Sequence, residues 1–268
     1  MRYSLHKTLN KIFELVNLRI IKADRYFKLS HKVDELADLG LKNMIDLLGN
    51  SNLDDYQNLH QYSKSQIGQD LFALAILKGK SGGYFVEFGA TDGIGLSNSY
   101  MLEKHFGWQG ILAEPGRNWH SPLIQNRSCH IDLRCISDKS GEFVEFVQST
   151  SPELSTLRGF EKGDSNSRVL ESSYLVETIS LNDLLKVYNA PLIIDFLSID
   201  TEGSEFIILN NFNFDNYRFR VIVSEHNFTS NREKVFELLT AAGYKRIWPE
   251  FTQFDDWYIS PDLVDFQF

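Results

Sequence analysis

The stretch that decides the fold is Tyr84–Gly95, which reads Tyr-Phe-Val-Glu-Phe-Gly-Ala-Thr-Asp-Gly-Ile-Gly. Its first half is an apolar, β-prone run without a solvated face, which is typical of a strand buried in a parallel sheet. Its second half is rich in glycine, which adopts backbone angles that other residues avoid and lets a ligand approach the main chain. A helix is predicted to begin near Ser97, with Ser97 as its cap. The order strand, Gly-rich loop, helix is the arrangement that binds nucleotides at the carboxyl end of a sheet.

The spacing of the acid and the glycines predicts the kind of nucleotide. The dinucleotide fingerprint Gly-x-Gly-x-x-Gly is absent, and Glu87-x-Gly89-x-x-x-Gly93 stands in its place. A carboxylate at this point would repel a pyrophosphate, but it suits S-adenosylmethionine, which carries an ammonium and a sulfonium group. A plain structural turn is the alternative interpretation, because an acid followed by spaced glycines also occurs by chance.

Several motifs occur together in an order that resembles a known family. They are Ser65–Asp70, Phe85–Gly93, Ser97-Asn98, Gly107–Gly110 with Glu114-Pro115, and Leu197–Gly203. Together they resemble the FkbM family of S-adenosylmethionine-dependent methyltransferases, from about residue 63 to residue 260. The resemblance implies a Rossmann-like class I methyltransferase fold, with a mostly parallel seven-stranded sheet flanked by helices. It also implies methyl transfer to oxygen, often on a sugar hydroxyl of a glycan or glycosylated natural product.

Composition and charge limit the function. The chain is 43% hydrophobic and 24% charged, as is usual for a soluble globular protein, and its net charge of −9 argues against a nucleic-acid substrate. No apolar run is long enough to span a bilayer, and the first ten residues lack the apolar segment of a secretory signal, so a cytoplasmic location is predicted. Cys129 and Cys135 are predicted to be free thiols, because six residues along one strand separate them too far for a disulfide.

Residues 1–62 are predicted to form a helical extension ahead of a methyltransferase domain at residues 63–268. Apolar residues recur every three or four positions from Ser4 to Leu29, and residues 33–48 continue the helical spacing. Residues 1–32 hold eight Lys or Arg and two acids. A basic amphipathic helix favours peripheral contact with an anionic membrane or a partner, and the alternative is packing on the acidic domain or self-association with a second copy.

The cofactor-binding residues are predicted at the carboxyl ends of the first three strands. Glu114 follows the second strand and is positioned to accept hydrogen bonds from both ribose hydroxyls, as the acid of dinucleotide folds does. The resemblance implies that the adenine lies near the end of the third strand, predicted at Cys129–Ser137, although a plain turn explains that sequence equally well. The predicted cofactor-binding residues are Glu87, Gly89, Ala90, Asp92, Gly93, Asn98, Glu114, Ser137 and Asp138.

Catalytic residues are predicted where two inner strands end, because parallel strands carry their chemistry at their carboxyl ends. The predicted catalytic residues are His226, Asp200 and Glu202. Methyl transfer to an alcohol needs alignment and removal of a proton, and His226 suits a general base at neutral pH. Alternatively, Asp200, Glu225 and His226 hold Mg²⁺ or Mn²⁺, which would lower the pKa of the acceptor. A third interpretation makes Asp200 and His226 purely structural.

Residues 149–173 show little periodicity, and so long an insertion predicts a lid, a substrate loop or disorder. Arg158, Lys162 and Arg168 in this insertion could meet an anionic acceptor such as a sugar phosphate, or could simply be solvated. The expected partner is a small-molecule or glycan acceptor. Alternatives are methyl transfer to nitrogen and a non-catalytic binding module on the same fold, whereas an NAD-dependent oxidoreductase would need the missing glycine spacing.

Overall fold

The structure of the protein is a computed structural model that describes residues 59–161 and 168–263. The helices predicted within residues 1–58, and the cation at Lys162, lie outside the described residues. The division into an extension and a domain therefore stays a prediction. Within the described ranges, no helix is both long and apolar enough to cross a membrane.

Helices and strands alternate along most of the chain. The strands are β1 (Tyr84–Phe88), β2 (Gln109–Ala113), β3 (His130–Asp132), β4 (Cys135–Ser137), β5 (Phe143–Ser149), β6 (Thr156–Leu157), β7 (Leu170–Ser180), β8 (Ile193–Ile199), β9 (Arg218–Glu225), β10 (Lys245–Ile247) and β11 (Asp255–Ile259). The α-helices are α1 (Gln69–Ile76), α2 (Tyr100–Phe106), α3 (Arg117–Asn126), α4 (Leu181–Val187), α5 (Glu205–Asn210) and α6 (Asn231–Ala241). Short 3-10 turns span Pro152–Leu154 and Pro261–Leu263. Among the described residues, β3 to β7 follow one another without an α-helix, and β10 precedes β11 directly.

The main sheet has seven strands in the order β10-β11-β9-β8-β1-β2-β3. The neighbours from β9 to β3 pair in parallel, whereas β11 runs antiparallel to both β9 and β10. This arrangement confirms the predicted Rossmann-like class I methyltransferase fold. The central strands are apolar because both faces of the sheet are covered, and β1 and β8 bury almost every side chain.

A second sheet of four strands, in the order β4-β7-β5-β6, was not predicted. The expected third strand at Cys129–Ser137 is in fact two strands, of which β3 joins the main sheet and β4 pairs with β7. Asp132 makes the break, because its Oδ1 accepts hydrogen bonds from the backbone N–H and the Nε of Arg134, at 2.9 and 3.0 Å. The two cysteines are free, as predicted, and lie in different parts of the fold.

Candidate active site

The register of the main sheet brings four acids and one glycine into a single row at its carboxyl edge. Phe88 pairs with Ala113 and with Ile199, and Ile199 pairs with Ser224. The next residue of each strand therefore lies in the same row, and Glu225 pairs in turn with its β11 neighbour. The row, from β2 to β11, is Glu114, Gly89, Asp200, Glu225 and Asp255. Sequence alone predicted the first four of these positions, because the apolar runs fix where the strands end.

A cavity of about 290 Å³ opens above this row, close to the lower end of the 300–1,000 Å³ usual for small-molecule sites. Its walls come from the loops after β1, β2, β8 and β9, and from the segment Pro152–Leu157 of the second sheet. The predicted site residues that line it are Glu87, Gly89, Asn98, Glu114, Asp200, Glu202 and Glu225. The predicted residues Ala90, Asp92, Gly93, Ser137, Asp138 and His226 lie outside its lining.

Glu87 lines the cavity, and its carboxylate also fixes the turn that follows the Gly-rich loop. Its Oε1 accepts the backbone N–H of Asn98 at 2.7 Å, and its Oε2 accepts the hydroxyls of Ser97, at 3.0 Å, and Ser99. Helix α2 consequently begins at Tyr100, three residues later than predicted. Ser97 still accepts the backbone N–H of Tyr100, at 3.1 Å. The side chain of Glu87 therefore both borders the ligand space and sets the loop around it.

Gly89 is the glycine that the close packing of the loop requires. Its φ is +75°, and a Cβ at this position would overlap the Asp200 carbonyl oxygen, a backbone atom that cannot move aside. Gly93 has a different role, because its Cβ would meet the side chains of Arg127 and Leu123. It packs the loop against α3 and does not face the cavity. Asp92 is also structural here, since its Oδ1 accepts the backbone N–H groups of residues 94 and 95, both at 2.8 Å.

Glu114 joins the loops that follow β1 and β2. One oxygen accepts the backbone N–H of Thr91 at 2.9 Å, and the other accepts that of Gly116 at 2.7 Å. Burial raises the pKa of this carboxyl to about 7, and the nearby charge of Asp200 adds to the effect. Trp119 lines the same end of the cavity. Each carboxylate oxygen keeps a second lone pair for a ligand hydroxyl.

The predicted adenine residues at the end of the third strand need a correction. Ser137 ends β4, in the second sheet, and its hydroxyl donates to Asp138 at 3.1 Å. Neither residue lines the cavity, because the chain crosses into the other sheet after Asp132. The neighbours Cys135 and Ile136 do line it. This part of the cavity is thus bordered by the apolar side chains of Cys135 and Ile136, two positions before the predicted Ser137 and Asp138.

Three carboxyl groups form a cluster opposite Glu114. One ligand oxygen from each of Asp200, Glu202 and Glu225 lies within 4.8 Å of the others. Burial raises the pKa of Asp200 to about 6, and it raises that of Glu225 well above its ordinary value, with the Asp200 charge next in effect. The two carboxyls hydrogen-bond each other, so Glu225 holds the proton and Asp200 accepts it. Glu202 is paired with the buried guanidinium of Arg168.

His226, predicted as a general base and metal ligand, lies outside both the acidic cluster and the lining of the cavity. Its Nδ1 accepts the backbone N–H of Phe228 at 2.9 Å, and its Nε2 lies 3.9 Å from a carboxylate oxygen of Asp256. Asn227 and Phe228 both have positive φ, 42° and 57°, and the turn they form directs the imidazole away from the acidic cluster. Burial lowers the pKa of His226 to about 4, so the ring is neutral at pH 7. Glu202 takes the third place in the cluster.

The substitution His226→Asn is therefore expected to leave turnover within about threefold of the native rate. Asparagine keeps an acceptor near the position of Nδ1, so the bond to Phe228 can persist. Turnover per folded molecule, measured beside a thermal melt, checks the expectation. A loss of 10²-fold or more, the range for removal of a general base, would return the proton-transfer role to His226.

The motif Ser65–Asp70, to which the sequence assigned no function, contributes Gln66 to the lining of the cavity. Asp70 Oδ1 accepts the hydroxyls of Ser63 and Ser65, both at 2.7 Å. Gln69 donates to Asp255 Oδ2 at 2.9 Å, which ties the motif to the row of acids. These bonds place Gln66 at the cavity. The signal that could have indicated it was the string of polar residues directly before α1.

Within the insertion predicted as a lid, a substrate loop or disorder, the described residues 152–157 reach the cavity. Residues 152–157 form a 3-10 turn and β6, and the Thr156 hydroxyl donates to the Glu202 carbonyl at 3.0 Å. The expectation that its cations meet an anionic acceptor finds no support. Arg168 pairs with Glu202, and Arg158 pairs with Glu145 and Glu161, at 2.7 and 2.6 Å.

Comparison with known proteins supplies the family. The model of the methyltransferase FkbM domain matches residues 87–257, which is more than half of the chain. No curated protein matches the sequence.

Solved structures are similar at low identity. The methyltransferase FkbM of Methylobacillus flagellatus KT aligns with 12% identity and a TM-score of 0.44, over 76% of this chain and 57% of that one. The precorrin-6y C5,15-methyltransferase of Geobacter metallireducens GS-15 aligns with 12% identity and a TM-score of 0.35, over 66% and 71% of the two chains. The present chain thus spans little more than half the length of the first of these structures.

Proposed function

The chain belongs to the FkbM methyltransferase family, and from that premise we propose that it transfers a methyl group from S-adenosylmethionine to a hydroxyl oxygen of a sugar, in a glycan or a glycosylated intermediate. The observation that carries the proposal is the row at the sheet edge. Glu114 lies on one side of Gly89, and the hydrogen-bonded pair of Asp200 and Glu225 lies on the other. One cavity therefore offers a place for the ribose and a place for proton removal.

The residues present fit this cofactor. Gly89 lets the loop after β1 pack against the Asp200 main chain, which keeps Asp200 in the row beside it, and a Cβ on Gly116 would press on the Glu114 carboxylate, 2.7 Å from its oxygen. Asn98 Oδ1 is buried in the cavity wall without a hydrogen-bond partner, so a ligand donor is expected there. When bound, S-adenosylmethionine supplies an electrophilic methyl group. Glu114 would hold the ribose hydroxyls, and Asn98 would accept from an ammonium or hydroxyl.

Asp200 and Glu225 are the groups proposed to take the proton of the acceptor hydroxyl. Asp200 accepts the Glu225 proton in the resting site, and its pKa of about 6 lies close to neutral pH. A carboxylate with a pKa near the working pH is an effective base. The raised pKa of Glu225 keeps it protonated, and its hydrogen bond orients Asp200. Asp200 is thus the catalytic base in this proposal, and Glu225 positions it.

A sugar hydroxyl suits the acceptor side of the cavity because the lining is rich in hydrogen-bond acceptors and short polar side chains. Thr201, Ser204 and Asn227 line it beside the acidic cluster. Leu154 and Leu157 supply an apolar wall from the second sheet. An acceptor that presents several hydroxyls and one apolar ring face would satisfy both.

The experiment is a methyl-transfer assay with S-adenosylmethionine labelled in its methyl group. Neutral glycosides and glycan fragments serve as acceptors, and mass spectrometry of the product locates the methyl group. The proposal predicts a methyl ether on oxygen. A product methylated on nitrogen, or no consumption of the cofactor by any acceptor while the cofactor binds, would contradict it.

A divalent cation at Asp200, Glu202 and Glu225 is a second candidate for activating the acceptor. The observation that favours it is the convergence of three oxygen ligands within 4.8 Å, a donor set that suits Mg²⁺ or Mn²⁺. The ion pair between Glu202 and Arg168 and the proton shared by Asp200 and Glu225 favour the metal-free route. We therefore expect turnover to survive dialysis against EDTA. Loss of turnover that Mg²⁺ or Mn²⁺ restores would establish the metal route instead.

Affinity for S-adenosylmethionine is expected to rise with pH between 5.5 and 8. The pKa values of Glu114 and Asp200 are raised, to about 7 and about 6, so both groups lose protons across this window. Each lost proton adds a negative charge to the cavity that would hold the positively charged sulfonium, which strengthens its binding. Titration at several pH values checks this. An affinity that is flat or falls with pH would show that these carboxyls do not face the cofactor.

A further inference from the structure

The lining of the cavity is unusual in its charge. Six carboxyl side chains contribute to it, and none of the described residues that line it is a lysine, arginine or histidine. The six are Glu87, Glu114, Glu153, Asp200, Glu202 and Glu225. Acids in direct register on neighbouring strands repel one another, and a sheet has no structural reason to collect them at one edge.

The two buried arginines near the acids are each paired with one lining carboxylate and also bond a further group. Arg127 Nε bonds Glu103 at 2.7 Å, and its NH1 lies 4.0 Å from Glu87 Oε2. Arg168 bonds Glu202 and the Leu154 carbonyl oxygen. Neither side chain is among those that line the cavity. An anionic acceptor beside Asp200, Glu202 and Glu225 would therefore meet carboxylates, and no cation among the described lining residues would face it.

The uncharged polar lining points the same way. Asn98 is 8% exposed, and its amide donates to Ser198 Oγ at 3.0 Å, which leaves Oδ1 without a partner. An unpartnered buried acceptor is costly unless a ligand donor satisfies it. The carboxylate oxygens and this amide oxygen are all hydrogen-bond acceptors, so a ligand that carries donors suits them. Hydroxyl and ammonium groups are donors, whereas phosphate and carboxylate groups are not.

The pKa of Glu114 agrees with this geometry. Burial raises it to about 7, and the nearby charge of Asp200 adds to the effect. A cation in the cavity would offset that loss of solvation.

We infer that the acceptor side of the cavity, where Asp200, Glu202 and Glu225 converge, selects cations and neutral hydrogen-bond donors, so that the acceptor is a neutral sugar or an amino sugar and not a phosphorylated or carboxylated one. The inference rests on the proposed function. It replaces the sugar phosphate expected from the cations of residues 149–173. It also fixes an order of reactions, because a sugar linked directly to a nucleotide carries a pyrophosphate beside the ring. Glycosyl transfer must then precede methylation.

The first test compares two cofactor analogues by calorimetry at pH 7.5. S-adenosylhomocysteine is neutral at its sulfur, whereas sinefungin carries an amine at the position from which the methyl group departs. Sinefungin is expected to bind at least tenfold more tightly. The double substitution Asp200→Asn with Glu225→Gln should reduce that preference by threefold or more, while the isosteric control Glu237→Gln, on the exposed face of α6, should leave it unchanged. Equal affinities for the two analogues in the native protein would overturn the inference.

The second test uses four sugars with protein saturated by S-adenosylhomocysteine, observed by saturation-transfer NMR. Methyl α-D-glucopyranoside and glucosamine are expected to bind, and glucose 6-phosphate and glucuronate are not. Binding of the two anions as tight as that of the neutral glycoside overturns the inference. If none of the four sugars gives a saturation-transfer signal, the comparison of the two cofactor analogues is the deciding test of the inference. Failure of both analogues to bind would contradict the proposed function itself, which separates the two claims.

Discussion

Replacement of Gly89 by alanine is expected to abolish cofactor binding and to destabilise the fold by about 2–5 kcal/mol. The left-handed backbone at this position, with φ of +75°, costs a residue with a Cβ about 1–2 kcal/mol. Overpacking against the Asp200 carbonyl adds about 1–3 kcal/mol, because backbone atoms cannot move aside cheaply. The clash also displaces Asp200 from the row. Chemical denaturation measures the stability, and calorimetry measures the binding.

Gly141 provides a matched control. Its φ is +76°, almost the same as that of Gly89, but a Cβ there would meet nothing within 4 Å. Gly141→Ala should cost only the backbone term of about 1–2 kcal/mol and should leave cofactor binding intact. Equal losses in the two variants would mean that backbone angle alone explains Gly89, and that the close approach of Asp200 has no consequence.

Substitution of Asp200 by asparagine is expected to lower the rate of methyl transfer by about 10²–10⁴-fold, the range found for loss of a general base. The amide is isosteric with the carboxyl but cannot accept the acceptor's proton. Cofactor should still bind, because Glu114 and Asn98 are unchanged. Single-turnover kinetics with labelled cofactor separate the chemical step from binding. A native-like rate in this variant would remove Asp200 from the mechanism.

Asp195 serves as the control for that substitution. It is buried on β8, the strand that Asp200 directly follows, but its carboxylate bonds Lys80 Nζ, at 2.7 and 2.8 Å, and the Tyr84 N–H, at 3.0 Å. Asp195→Asn should lower the melting temperature and leave turnover per folded molecule unchanged. A drop in turnover equal to that of Asp200→Asn would indicate that any buried acid on or directly after β8 affects the rate through stability.

The main sheet could be predicted from sequence because its central strands are continuous apolar runs. The apolar run before Asp200 has no solvated face, so only an inner strand fits it, and its end fixes where that acid lies. The second sheet gave no such signal. Strand β7 buries few side chains in its first half, so its sequence is polar and resembles a loop. The strand is held by pairing with β5 over most of its length.

The candidate site likewise has a part that the sequence predicts and a part that it does not. Strand ends predicted which residues reach the rim, but not the direction of side chains in the loops beyond it. His226 follows Glu225 directly, yet two positive-φ residues and the Phe228 N–H turn its ring toward Asp256. The local sequence does not signal that turn, since neither position 227 nor position 228 is a glycine. Gln66 was likewise missed, because a bond from Gln69 to a strand 186 residues away places it.

The measurement that tests the central claim most directly is calorimetric titration of the protein with S-adenosylmethionine, beside the variant Glu114→Ala. The account predicts one molecule bound per chain with micromolar affinity, about −8 kcal/mol, and a substantial loss in the variant. Absence of binding by the native protein at about 1 mM cofactor, which is weaker than −4 kcal/mol, would contradict it. Equal binding by the variant would place the cofactor away from the row of acids.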